Sequence, residues 1–535
     1  MLSYRKLAMR VLGRPLHTGG IDSPRPASQR AAAFILTAAM LTTLAAPAFA
    51  DIWHIENGDI TISAGESGNN VTQNNNTTYG DTNTIITNQN KDTASSHTVT
   101  IETKDKDDKV EVTLKDVNID TSSRNKAAVS VTGEGDTNIK LDGDNALKSD
   151  IYRSGIYGSG SGSLTISGGE NDSLTAQGGS GANGISSSGS LTISGGTVTA
   201  NGDDGGRGIS SSGSVTISGG STVTANGGSG TISGGDGICS SGGVTISGGS
   251  TVTANGGNGG SLVGGDGIRS DGGVTISGGT VKAAGGDSKD GYGGDGIRSG
   301  GGVTISGNTV NAAGGYGGKV GGYGICSFDR VAISGGTVEA AGGNGSTGGG
   351  SGIYSSVIDL SGSLELTAKA GSPNGKALSQ KGSELVLDTI KDKLGPGAKV
   401  TATDADGKVI DQVSTPRPVE PEESSSSSDG GSAAPSAPAS PLPGLTVTDK
   451  DGQRISYTST QSGNTLTVCV GRLTASFRIS LAALRQLRAE GIETIAFQTV
   501  LCSTTLSVDE LLAMGGENAE AVLTHRFTDS SLTVG

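Results

Sequence analysis

Gly237-Ile238-Cys239-Ser240, then Val244-Thr245-Ile246-Ser247-Gly248-Gly249, then Thr251-Val252-Thr253-Ala254-Asn255-Gly256-Gly257 is a sentence of residues that returns down the middle of the chain. The isoleucine of its second phrase recurs at Ile166, Ile193, Ile217, Ile246, Ile276, Ile305 and Ile333, in steps of 27, 24, 29, 30, 29 and 28 residues. The isoleucine after the glycine keeps step with it, at Ile156, Ile185, Ile209, Ile238, Ile268, Ile297, Ile325 and Ile353. A fixed period of this size marks a stacked repeat.

Val244 and Ile246 alternate with Thr245, and Val252 and Ala254 with Thr253. Period two makes each phrase a short strand with one apolar face. Ile238 supplies a third, and the glycine pairs between phrases permit sharp corners. Three such strands bury nothing alone. Stacked in parallel, each coil of about 28 residues covers the apolar row of the one before. The expected fold is all-β, a parallel β-helix. Weaker marks at Leu114, Leu141, Leu360 and Leu387 extend it over residues 52–411. Eleven marked coils at about 4.8 Å each would stack to about 50 Å. A calcium roll repeats every nine residues, and this chain does not.

The chain has 535 residues, 94 of them glycine. Residues 1–50 read as a secretory signal peptide. Arg5, Lys6, Arg10, Arg14, Arg25 and Arg30 precede an apolar run from Ala31 to Ala46, and Ala48-Phe49-Ala50 offers the cleavage site. An uncleaved membrane anchor is the rival reading. After cleavage no membrane span is expected, and the address is extracellular or the cell surface. The remaining chain carries 32 Lys+Arg against 51 Asp+Glu, a net charge of −19. So acidic a surface repels nucleic acid, and repels anionic polysaccharide unless a divalent cation bridges the two.

Residues 412–444 form a Pro/Ser/Ala-rich linker, with Pro416-Arg417-Pro418 and five serines at 424–428. Residues 445–535 read as a small α+β domain. A β-hairpin is expected from Leu466–Val470 and Leu473–Ile479. A helix capped by Ser480, a strand at Ile492–Val500, a helix capped by Ser507 with Glu510, and a last strand at Phe527–Val534 follow. Its role is docking to a cell wall, a protein partner or a second copy. Cys469 and Cys502 stand on or beside two of these strands, as a disulfide or as two buried thiols. Cys239 and Cys326 share one outward row three coils apart, about 14 Å, too far to bond.

No histidine pair has metal spacing and no Ser-His-Asp set is evident. Asp236, Asp266 and Asp295 hold the same place in three successive coils, just before Gly-Ile. Stacking sets them about 5 Å apart, and like charges so close need neutralising. Calcium would do it, as would backbone amides at the corner. An Asx turn is the plainer use, favoured by Asn183 at the equivalent place. Arg269 and Arg298 follow the isoleucine in two of those coils. They either pair with the aspartates or grip a carboxylated sugar. Tyr157, Tyr292, Tyr316, Tyr323 and Tyr354 lie on glycine-rich corners, as sugar-stacking rings or as corner packing. The corner before Gly-Ile varies most in length, and variable loops on one side of a solenoid are where binding sits.

Val112-Thr113-Leu114-Lys115-Asp116-Val117-Asn118-Ile119, Ala127-Ala128-Val129-Ser130-Val131, Ile139-Lys140-Leu141-Asp142-Gly143 and Leu164-Thr165-Ile166-Ser167-Gly168-Gly169 resemble, in that order, the secreted carbohydrate-binding-domain proteins of anaerobic Firmicutes. The resemblance covers about residues 100–370. It implies a right-handed parallel β-helix that binds plant cell-wall polysaccharide, polygalacturonate included, with bound calcium. A non-catalytic carbohydrate-binding protein is therefore the first expectation. A structural adhesin or stalk displaying the end domain is the second. A pectin lyase-like enzyme, by analogy of fold alone, is the third.

Overall fold

A computed structural model describes residues 51–416 and most of 444–534. The chain divides into two compact units, 1–422 and 423–535. The expected signal peptide (1–50) and most of the expected linker (417–443) lie outside the described residues.

The first unit is a parallel β-solenoid of about 13 turns with coils of about 28 residues. Each regular coil gives three strands, as its alternation predicts. One row runs Ile156–Gly158, Ile185–Ser187, Ile209–Ser211, Ile238–Ser240, Ile268–Ser270 and Ile297–Ser299. A second holds the Val-Thr-Ile phrases and a third the Thr-Val-Thr-Ala phrases. Strands pair in parallel with the equivalent strand one coil away, and through the central coils they do so in register: Ile238 faces Ile268, Ile246 faces Ile276, Val252 faces Val281 and Ala254 faces Ala283. The columns so formed are no more than 1% exposed. Each buried isoleucine contributes about 1.5–3 kcal/mol of transfer free energy, repeated coil after coil.

The serine of Gly-Ile-x-Ser also points inward. Ser240, Ser270 and Ser299 are buried, and each hydroxyl donates to a glycine carbonyl of the preceding coil (Gly213, Gly242 and Gly272) at 2.8 Å. Buried hydroxyls need such partners, and this corner supplies one per coil.

From Gly227 to Gly350 each coil carries an additional loop of two glycine-rich limbs: 227–235, 256–265, 285–294, 314–322 and 342–350. The loops stack into a ridge, with bridges Gly230–Gly259–Ser288–Gly317–Gly345 and Ser233–Val263–Tyr292–Val320–Gly348. Hydrogen bonds zigzag between limbs and coils: Gly257 N donates to Gly235 O, Gly265 N to Gly257 O, Gly286 N to Gly265 O and Gly294 N to Gly286 O, at 2.8–2.9 Å. Only glycine allows this approach. A Cβ on Gly265 would stand 1.9 Å from the Gly235 carbonyl oxygen.

Both ends turn antiparallel, which stops the stack from offering a bare edge. At the start, Ile60–Gly65, Gly68–Gln73 and Asn76–Asp81 form a meander. At the finish, Val409–Ser414 folds back on Lys399–Thr403, so the last strand runs three residues past the expected boundary at 411.

In the second unit, the strands Leu445–Thr448, Ala475–Ser480, Glu520–His525 and Ser530–Val534 make one four-stranded sheet. Thr458–Ser462, Thr465–Cys469, Thr494–Gln498 and Ser503–Ser507 make another. The expected hairpin is corrected here. Thr465–Cys469 pairs with Thr458–Ser462 and Thr494–Gln498, whereas Ala475–Ser480 pairs with Leu445–Thr448 and Glu520–His525. Alternation marked the strands but carries no information on partners. Helices Leu481–Ala489 and Val508–Met514 begin as their caps predict, with Ser480 Oγ accepting from Ala483 N at 3.2 Å and Ser507 Oγ from Glu510 N at 3.4 Å. Cys469 is a free thiol whose Sγ donates to Gln498 Oε1 at 3.3 Å; Cys502 lies outside the described residues. Among the described residues, no helix is long and apolar enough to cross a membrane.

Candidate functional site

Two positions flanking the Gly-Ile pair bring most of the singled-out residues together. The position before it forms the column Asn183, Arg207, Asp236, Asp266, Asp295, Tyr323. The position after it forms the row Ser210, Cys239, Arg269, Arg298, Cys326, Tyr354.

The three aspartates are buried, at 4–6% exposure. Their neutralisation is a ladder between coils rather than an Asx turn within one. Asp236 Oδ1 accepts from Asp266 N at 2.9 Å, Asp266 Oδ1 from Asp295 N at 2.7 Å, and Asp295 Oδ1 from Tyr323 N at 2.7 Å. Asn183 Oδ1 does the same for Arg207 N at 2.8 Å. The second oxygens of the outer two are held by guanidinium groups: Arg207 Nε on Asp236 Oδ2 at 3.2 Å, and Arg298 Nη1 on Asp295 Oδ2 at 3.1 Å. Asp266, in the middle, has no arginine on it. Burial first, then the charges of Asp295 and Asp236, push its carboxyl well above the ordinary range. Burial also raises Asp295, against the Tyr323 amide and the Arg298 charge.

This arrangement does not suit calcium. A hard cation needs several free oxygen donors, and five of the six carboxylate oxygens already accept from amides or arginines. Among the described residues no group of three or more His, Cys, Asp or Glu side chains is placed to hold a metal ion.

The two Asp-Gly-Ile-Arg sequences, 266–269 and 295–298, behave differently. Arg298 folds back on Asp295 and lies 5.3 Å from the Phe328 ring centroid, a cation–π contact. Arg269 forms no ion pair within 4 Å with any described residue, and it is exposed. It stands at the rim of a polar groove of about 400 Å³, lined by Asn183, Arg207, Asp236, Asp266 and Arg269 and floored by ridge glycines. The groove opens where the short corner at 203–207 gives way to the longer loops of the next coils.

The tyrosines divide. Tyr323 and Tyr354 stack on each other, centroids 5.0 Å apart and planes 18° apart, so each face is partly spent on the other. Tyr292 and Tyr316 stand half exposed on the ridge, and Tyr157 lies in the row after Gly-Ile four coils before Arg269. Cys326 corrects the outward expectation for its row. It is 1% exposed, covered between Arg298 and Tyr354, and burial pushes its thiol far up, while that of Cys239 is pushed up to about 11. Arg207 was not singled out in the sequence. Its signal is the place before Gly-Ile, where neighbouring coils carry Asn or Asp.

No protein-family model matches the chain, nor does any curated protein or solved structure.

Proposed function

We propose that the chain is a secreted or cell-surface, non-catalytic polysaccharide-binding protein whose solenoid presents its ligand site beside the ridge. One observation carries this reading: an open polar groove with an unpaired arginine at its rim, on the side where loop length varies from coil to coil. Long grooves on a stiff stacked scaffold suit chain-like ligands. The half-exposed rings of Tyr292 and Tyr316 add faces on which sugars stack. The order of repeat phrases supports the same assignment by its resemblance to the carbohydrate-binding proteins named above. The coil is right-handed on the general rule for parallel strand crossovers. The C-terminal domain serves to attach the chain to a wall or a protein.

The test is retention of the full chain on insoluble pectin, cellulose and xylan, with the supernatant assayed for reducing ends and unsaturated products. Retention on at least one glycan without product is the expected result. Product formation assigns an enzyme instead. Retention on none leaves the stalk that displays the C-terminal domain.

A further inference from the structure

Within residues 52–411 of a strongly acidic chain there are six arginines, at 124, 153, 207, 269, 298 and 330. Three of them lie at the groove or beside it. Two are spent: Arg207 on Asp236 and Arg298 on Asp295. The third has the same local sequence as Arg298 and yet is not folded back. Two features explain it. Its neighbour in the row on the following coil is Arg298, a like charge. Its own-coil partner, Asp266, is buried between two other carboxylates and its Oδ1 already accepts from the Asp295 amide, while burial and those neighbouring charges push its carboxyl well above the ordinary range. The row therefore holds one guanidinium with five donors and no anion, at the edge of a groove large enough for a sugar unit.

We infer that this groove takes a carboxylate-bearing sugar directly on the Arg269 guanidinium, with no divalent cation bridging protein and ligand. The inference rests on the polysaccharide-binding reading and names its ligand class, a polyuronate. A guanidinium meets a carboxylate through two parallel N–H···O bonds. Asp266, buried and engaged with the Asp295 amide, leaves Arg269 uncommitted. This differs from a calcium-bridged mode, in which the aspartates would be the groups touching the ligand's cation.

The experiment compares polygalacturonate with its methyl ester, which has the same backbone with its carboxylates capped, and with dextran sulfate. Each is bound to the full chain in excess EDTA at fixed ionic strength. Wild type should hold polygalacturonate and release the methyl ester. Arg269→Gln should weaken polygalacturonate binding by on the order of tenfold to a hundredfold. Because Arg269 is exposed and unpaired, this variant should keep the wild-type melting temperature. Loss of wild-type binding in EDTA overturns the inference, as does an Arg269→Gln variant that binds like wild type. Equal retention of the methyl ester overturns the carboxylate and leaves the polysaccharide reading standing. Equal retention of dextran sulfate reduces the site to unspecific anion attraction and overturns it too. Retention of no glycan removes both readings together.

Discussion

The middle coils and the first three close the same kind of corner with opposite chemistry. Between Gly227 and Gly350 the ridge limbs are held backbone to backbone, glycine to glycine across coils, and at positions such as Gly265 there is no room even for a Cβ. At the start, coils are tied by charge. Asp59 accepts from Arg124 Nη1 at 2.7 Å and Nη2 at 3.1 Å, from Lys126 Nζ at 3.0 Å and from Thr98 N at 2.9 Å, and His97 Nδ1 lies 3.2 Å away. One carboxylate thus gathers partners from two further segments of the chain, 97–98 and 124–126. Close approach of glycines closes the ridge of the middle coils and a shared carboxylate ties the first ones, while the aliphatic columns inside are common to both. The two regions should therefore fail under different insults.

The largest difference should come from sterics. Gly265→Val puts a branched side chain where even a Cβ meets the Gly235 oxygen at 1.9 Å, and should cost on the order of 4 kcal/mol or prevent the ridge from closing. Gly249→Asn is the control: its φ of +74° suits asparagine and nothing stands within 4 Å, so the loss should stay under about 1 kcal/mol. Thermal unfolding and limited proteolysis read both, and equal losses would show that the ridge is not held by close approach. Core truncation should ignore the contrast. Ile268→Ala in the middle and Ile101→Ala near the start, both fully buried, should each cost about 2–5 kcal/mol.

Acid should separate the regions by sign. Burial opposes ionisation of Asp59, but the hydrogen bonds from Arg124, Thr98 and Lys126 win and hold it well below its ordinary 3.8. Its contribution is present above that value and lost as pH falls below about 4. Asp266 is raised, so its contribution is complete below 3.8 and lost as pH rises through its folded value. Trp53, the chain's single tryptophan, donates Nε1 to Asp81 at 3.1 Å and reports the first coils by fluorescence. Its melting should fall on acidification. Replacing Asp59 with Ala should remove that fall and cost about 1 kcal/mol, since more than a third of the side chain meets water. Asp266→Asn should stabilise the strand circular dichroism at neutral pH more than at pH 4. A gain of equal size at both would mean that Asp266 is ionised throughout.

The smallest effect is chemical. Buried thiols with raised pKa hold little thiolate. Iodoacetamide at pH 8 should label Cys239 slowly and Cys326 more slowly still in the native protein, as read by mass spectrometry. Labelling of Cys326 at the rate of an unfolded thiol would show that the row is open there.

The columns were legible because an inward aliphatic must recur at each turn: Ile238, Ile268 and Ile297 announce both the period and the face. Ser240 and its equivalents carry the same period, but a serine in an alternating strand says nothing about its own burial. The glycine limbs were visible only as composition, since a residue without a side chain leaves no pattern of faces. The aspartate column was placed correctly, yet its acceptor role needed the register between coils, which puts the Asp266 amide on the Asp236 carboxylate. The difference between Arg269 and Arg298 was not legible at all. It depends on Phe328 beneath Arg298 and on the like-charged neighbour beside Arg269, and both are matters of the neighbouring coil.

The in-register pairing has a corollary for how such a molecule changes over generations. Each turn meets only the two beside it, and both ends carry their own covers. Excising residues 238–267 would rejoin Gly237 to Ile268 without altering a word at the junction, and duplication would do the reverse. Recombination between near-identical repeats can thus trim or lengthen the solenoid in increments of about 4.8 Å, so that reach becomes a heritable, stepwise trait.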